Sequence, residues 1–179
     1  MGTGTAMKRA VYLDRDGTLN VPILREGRAY APVTESDFQI YPEARAALDR
    51  LKDAGLLTIV ITNQPEIATG ELTWEVLERM HGVLRRVLPI DDIYVCPHHS
   101  SEACDCHKPR PELLNQAAEK WGIALGSSFL VGDRWRDIGA GNNAGCTTVL
   151  IERSYSGACE PDFRAPDLRN AIEVIVEQL

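Results

Sequence analysis

Short, largely apolar runs rich in β-branched and aromatic residues recur along the chain at 10–13, 56–61, 92–95, 128–131 and 147–151. Each ends at polar or Gly-containing sequence, and together they predict buried strands. Between them, apolar residues fall at helical spacing. Ala44, Ala47, Leu48 and Leu51 mark a helix over 42–54 that Gly55 stops, and Val76, Leu77, Met80, Val83, Leu84 and Val87 mark one over 73–88. Leu113, Leu114, Ala117 and Ala118 predict a third over 111–121, ending at Gly122; Ile172, Ile175, Val176 and Leu179 predict a fourth over 168–179. Continuous apolar strands alternating with amphipathic helices imply a doubly wound α/β domain, a Rossmann-like parallel sheet covered on both faces. Ligands of such sheets bind beyond the carboxyl ends of the strands.

Two segments interrupt the alternation, 21–40 after the first strand and 96–111 after the third. Loops of that length in a compact domain are more often functional than idle. The 179 residues suit one domain over 7–179, with residues 1–6 expected as a disordered leader. At 44% apolar and 25% charged the composition is that of a globular protein, and the longest clean apolar run, 56–61, is too short to cross a bilayer. A net charge of -7 argues against binding nucleic acid or an anionic membrane through bulk electrostatics, so an anionic ligand must be held by local cations. The N-terminus lacks a basic stretch followed by an apolar one, which makes a cytoplasmic location the expectation; a monomer is expected as well.

The chemistry gathers at strand ends. Asp14-Arg15-Asp16-Gly17-Thr18-Leu19-Asn20 follows the first strand, and side chains two apart share a face, so both carboxylates can enter one crevice. Two like charges held together need a cation or a shared proton. Thr62-Asn63-Gln64 ends the second strand, Lys108 lies in the loop after the third, and Gly132-Asp133-Arg134-Trp135-Arg136-Asp137 follows the fourth. Singly, each reads equally well as a cap or a solvated charge; their joint placement on one sheet edge is what points to a site. Three of the five cysteines crowd into residues 96–106, where Cys96, His98, Cys104 and Cys106 offer three thiolates and an imidazole. That donor set suits a closed, structural Zn²⁺ site. His81 is expected on the surface of its helix.

D-R-D-G-T-x-N, T-N, K-P and G-D-x-x-x-D in this order resemble the haloacid dehalogenase superfamily of phosphohydrolases. The resemblance implies Asp14 as nucleophile and Asp16 as general acid and base, with Thr62, Asn63 and Lys108 around the phosphoryl group. It further implies Mg²⁺ held by Asp14, Asp133 and the backbone carbonyl of Asp16, with Asp137 supporting the metal.

C-P-H-H and C-D-C-x-K-P, with T-N-Q, are similar to the D-glycero-D-manno-heptose 1,7-bisphosphate 7-phosphatase family, whose relatives include histidinol-phosphate phosphatases and whose members lack a separate cap domain. A phosphorylated sugar is the substrate implied. The family's T-N-Q-S-G-I-A-R-G reads here Thr62-Asn63-Gln64-Pro65-Glu66-Ile67-Ala68-Thr69-Gly70, so an arginine is missing. Where arginine commonly precedes the catalytic lysine stands His107, a pH-dependent cation and the nearest candidate for a distal phosphate. Arg25, Arg28, Arg110, Arg134 and Arg136 are the candidates to compensate. Histidinol phosphate or another monoester remains the alternative substrate, and a phospho-accepting receiver-like domain the alternative class.

Overall fold

A computed structural model describes residues 7–179; the leader expected at 1–6 lies outside the described residues. The fully buried β1 (Ala10–Leu13) sends Ala10 and Tyr12 into one apolar cluster and Val11 and Leu13 into another, as a strand covered on both faces must. The chain then makes a hairpin of β2 (Ile23–Arg25) and β3 (Arg28–Tyr30), and enters α1 (Ala44–Asp53). The central strand β4 (Leu57–Asn63), a single turn α2 (Glu66–Thr69) and the long α3 (Trp74–Val87) follow. The remainder runs β5 (Asp92–Cys96), α4 (Glu112–Trp121), β6 (Phe129–Gly132), α5 (Trp135–Ala144), β7 (Thr147–Ile151), β8 (Phe163–Ala165) and α6 (Leu168–Glu177).

Six strands form one parallel sheet in the order β5-β4-β1-β6-β7-β8. Helices α1 and α6 cover one face, with Ala47, Leu48, Leu51, Ile172 and Ile175 packed on Val11, Leu13, Val60 and Val149. Helix α4 and part of α5 cover the other, with Leu113, Leu114, Ala117 and Ala140 on Tyr12, Ile59, Ile61 and Leu130. The chain moves outward from β1 to β4 and β5, then returns to the other side of β1 to lay down β6. Strand order therefore reverses at β1, and the crevice beyond its carboxyl end is the place where ligands of such sheets bind.

The five expected strands and four expected helices are present within a residue or two, and α2, α5, β8 and the hairpin are additional. Between β1 and α1 lie only the hairpin and a short 3₁₀ turn at Glu35–Asp37, with no separate cap domain. Segment 96–111 carries no regular element before α4. Among the described residues no helix is long and apolar enough to cross a membrane.

Candidate active site

Asp14 leaves β1 with its backbone N–H still donating to Val131 of β6, so its carboxyl stands at the reversal point. Gly17 makes the following turn with φ +94°, and a Cβ there would lie 1.9 Å from Asp133 Oδ2. Glycine is thus required both for the turn and for the approach of the Asp133 loop. Asp133 and Asp137 arrive from β6 and the first turn of α5, and Asp137 Oδ2 accepts the backbone N–H of Arg134 as a helix cap.

Oxygens of Asp14, Asp133 and Asp137 lie within 4.8 Å of one another, all buried. Lys108 Nζ donates to Asp14 Oδ1 at 2.7 Å, to Asp137 Oδ1 at 2.6 Å and to the Ile61 carbonyl at 3.0 Å. The three carboxylates and one ammonium leave two negative charges uncompensated, the charge of one divalent cation. Both Asp133 oxygens are buried without a hydrogen-bond partner among the described residues. Burial first, then Asp137, pushes the Asp14 pKa up to about 6, against the pull of Lys108. Asp133 is raised well above the usual carboxylate range by burial, Asp14 and Asp137. Orphaned carboxylate oxygens in a buried, over-negative cluster fit a hard cation such as Mg²⁺.

Asp16 has a different environment. Its Oδ1 accepts from Arg15 Nη2 at 2.9 Å and Asn20 Nδ2 at 2.9 Å, and its Oδ2 from Gln64 Nε2 at 2.8 Å. Burial alone would raise its pKa, but the Arg15 charge and these hydrogen bonds together hold it below the ordinary value. Gln64 Nε2 also donates to Thr62 Oγ1 at 2.8 Å, linking the end of β4 to Asp16. Asn63 lines the cavity, and its amide clasps the Lys108 backbone: Oδ1 accepts the Lys108 N–H at 3.1 Å and Nδ2 donates to the Lys108 carbonyl at 3.4 Å.

Arg15, Asn20 and Gln64 were quoted in the motifs without a role, and their part in fixing Asp16 emerges only in three dimensions. His81 corrects an expectation: it is fully buried in α3, because the equally buried Arg15 needs an acceptor, and His81 Nε2 lies 3.3 Å from Arg15 Nη1. Burial and Arg15 push the His81 pKa down to about 3, so the ring stays neutral.

The Cys96–Cys106 loop brings its four donors together. Cys96 Sγ lies 3.8 Å from Cys104 Sγ and 3.6 Å from His98 Nδ1, and Cys106 Sγ lies 3.2 Å from the same nitrogen. A tetrahedron with metal–sulfur bonds of about 2.3 Å and a metal–nitrogen bond of about 2.1 Å has edges of about 3.6 to 3.8 Å, so the cluster is close to the size of a zinc site. Arg110 donates to the Cys104 carbonyl and does not line the cavity, which sets it apart from the phosphate-binding candidates. His107 does line the cavity, where the sequence places a pH-dependent cation. Burial and the nearby Arg136 lower its pKa, and its Nδ1–H donates to the His98 carbonyl at 3.2 Å.

These groups open into a cavity of about 680 Å³, within the size range of small-molecule sites. Asp14, Asp16 and Lys108 form its floor, and Tyr30 and the exposed Trp135 supply aromatic wall. Comparison with known proteins then decides the family: a model of haloacid dehalogenase-like hydrolases matches residues 14–145. The chain belongs to the haloacid dehalogenase-like hydrolases. This hydrolase is 38% identical over 159 residues to the D-glycero-beta-D-manno-heptose-1,7-bisphosphate 7-phosphatase of Pasteurella multocida, covering 82% of this chain and 83% of the relative. It is 31% identical over 183 residues to the enzyme of the same name from Escherichia coli K12, covering 95% and 89%. Among solved structures, the hydrolase superposes on the D,D-heptose 1,7-bisphosphate phosphatase of B. bronchiseptica, complexed with magnesium and phosphate, with a TM-score of 0.82. That match has 25% identity and covers 96% of this chain and 99% of the other.

Proposed function

We propose that this hydrolase is a phosphoric monoester hydrolase that removes the 7-phosphate of D-glycero-D-manno-heptose 1,7-bisphosphate through an aspartyl phosphate on Asp14. The observation that carries this reading is the buried set of Asp14, Asp133 and Asp137 around Lys108 at the reversal point of the sheet, in a chain whose relatives bear that name. Asp14 and Asp133, with the backbone carbonyl of Asp16, would hold Mg²⁺, and Asp137 supports the cluster. When bound, Mg²⁺ supplies charge neutralisation, without which a carboxylate cannot approach an anionic phosphoryl group.

Asp14 then attacks phosphorus, and the sugar hydroxyl leaves. All three N–H donors of Lys108 are taken in the free protein, so a phosphoryl oxygen must displace one acceptor, and Asp14 gives up its bond as it becomes the nucleophile. Thr62 Oγ1 accepts from the same Gln64 amide that holds Asp16, and Asn63 holds the Lys108 backbone in place. Asp16 starts charged. The arriving phosphoryl dianion raises its pKa, so it can take a proton, give it to the leaving oxygen, and later accept one from the hydrolytic water.

Cys96, His98, Cys104 and Cys106 hold a structural Zn²⁺ that fixes the loop two residues before Lys108. Cysteines free of disulfides fit an enzyme working in the reducing cytoplasm on a small phosphorylated sugar. The test is phosphate release in Mg²⁺ from both anomers of the heptose bisphosphate, from fructose 1,6-bisphosphate and from histidinol phosphate. The heptose bisphosphate should show the highest kcat/KM. A higher value for histidinol phosphate would reassign the substrate, and a single phosphorylation without turnover would make this a receiver-like domain.

A further inference from the structure

The cavity wall is divided by charge. On the α2 side stand Glu66 and Glu71, with Thr69 at the position where the resembling family carries arginine. The same cavity is lined by Arg25 and Arg28 of the β2–β3 hairpin, with Arg134 and Arg136 of the loop before α5 and its first turn. The arginines engaged in ion pairs among the described residues are Arg15, Arg45, Arg50, Arg79, Arg85 and Arg164, and none of these four is among them.

Arg25 and Arg28 are a directly opposed cross-strand pair, so their side chains leave the same face of the hairpin. Like charges so placed repel, and no carboxylate relieves them. The turn between them is a tight two-residue link with φ +50° at Glu26 and +74° at Gly27, the left-handed combination that matches the twist of a hairpin. It fixes the backbone from which both side chains leave, and both arginines line the cavity. Behind them, Arg134 Nη2 donates to the Ala29 carbonyl at 2.6 Å, tying the hairpin to the loop that carries Asp133.

We propose that the Arg25–Arg28 pair is the subsite for the second anionic group of the substrate, with Arg134 as the positioning residue that anchors the hairpin. An unrelieved pair of cations beside a phosphatase cavity is stabilised by what it binds, and a phosphate monoester can accept from both guanidinium forks. The acidic α2 wall repels the same group, so the distal phosphate is directed to the hairpin rather than to the position of the missing arginine. This rests on the bisphosphatase reading, whose distal phosphate it places.

The test compares wild type with Arg25→Gln/Arg28→Gln on the heptose bisphosphate and on p-nitrophenyl phosphate, which has no second anion. Calorimetric titration with heptose 1-phosphate, which keeps only the distal group, gives a readout without turnover. The double variant should raise KM for the bisphosphate and Kd for heptose 1-phosphate by about tenfold to a hundredfold. Its kcat and KM for p-nitrophenyl phosphate should not change, which also shows that the variant is folded. Arg25→Lys/Arg28→Lys should recover part of the loss. A wild type that prefers the bisphosphate together with an unaffected double variant overturns the subsite alone. A loss seen instead with Arg136→Gln moves it to α5 and also overturns the hairpin assignment. A wild type with no preference for bisphosphate overturns the substrate reading and, with it, the subsite.

Discussion

Lys108 Nζ lies 2.7 Å from Asp14 Oδ1, and the same ammonium reaches Asp137 Oδ1 at 2.6 Å, with all three groups almost wholly buried. Removing the cation strands two carboxylates, whereas neutralising Asp14 relieves crowding. Lys108→Met is expected to lower stability by about 3 to 5 kcal/mol and to remove nearly all turnover. Asp14→Asn should abolish phosphate release by about a thousandfold or more while leaving the melting temperature equal to or above that of wild type. Thermal melts and phosphate release on the two variants check the contrast, and a strongly destabilised Asp14→Asn would contradict it.

Magnesium should stabilise the protein in a pH-dependent way. Without a cation, Asp14 titrates near 6 because of burial and Asp137, with Lys108 and Asp16 as its other charged neighbours. Between its ordinary value, 3.8, and about 6 the folded protein keeps a proton that the unfolded chain has lost, so this group's contribution to stability falls as pH rises through that window. Asp133 is raised as well and contributes with the same sign. A bound cation favours both carboxylates ionised and removes the penalty. The Mg²⁺-induced rise in melting temperature should therefore be small at pH 4.5 and grow steadily towards pH 8; a shift independent of pH would show that these carboxylates do not bind it.

The two metals should separate under chelation. Thiolate-bound Zn²⁺ in a closed site resists mild chelation, whereas Mg²⁺ held by few carboxylates and water exchanges freely. EDTA should stop turnover, and Mg²⁺ alone should restore it while elemental analysis still finds one zinc per chain, as the proposed site of Cys96, His98, Cys104 and Cys106 predicts. Cys104→Ser should lose zinc and expose the 96–108 segment to proteolysis. Freshly purified protein without zinc, and with Cys96, Cys104 and Cys106 freely alkylated, would contradict the assignment.

The alternation of strands and helices was legible because each buried strand is a continuous apolar run and each of the four helices expected carries a clear apolar stripe. Helix α5 was not, because Gly139, Gly141, Asn142 and Asn143 dilute its stripe to Ile138, Ala140 and Ala144, and because its glycines serve close packing: a Cβ on Gly141 would lie 2.5 Å from Thr148. Strand β8 and the hairpin are three residues per strand, too short for a period to register. The strand-end motifs located Asp14, Asp16, Lys108, Asp133 and the Cys/His cluster in one edge region. Roles that depend on long-range contact were hidden. Nothing local in α3 announces that His81 turns inward to Arg15, 66 positions away, nor that an arginine between two aspartates folds back onto the second.

The proposed reaction removes one particular phosphate from one particular sugar. Phosphorus NMR of D-glycero-D-manno-heptose 1,7-bisphosphate incubated with the enzyme and Mg²⁺ follows both phosphates at once. The 7-phosphate resonance should disappear as inorganic phosphate grows, while the anomeric 1-phosphate persists in full. Loss of the anomeric phosphate, or an unchanged spectrum under conditions where p-nitrophenyl phosphate is hydrolysed, would contradict the account.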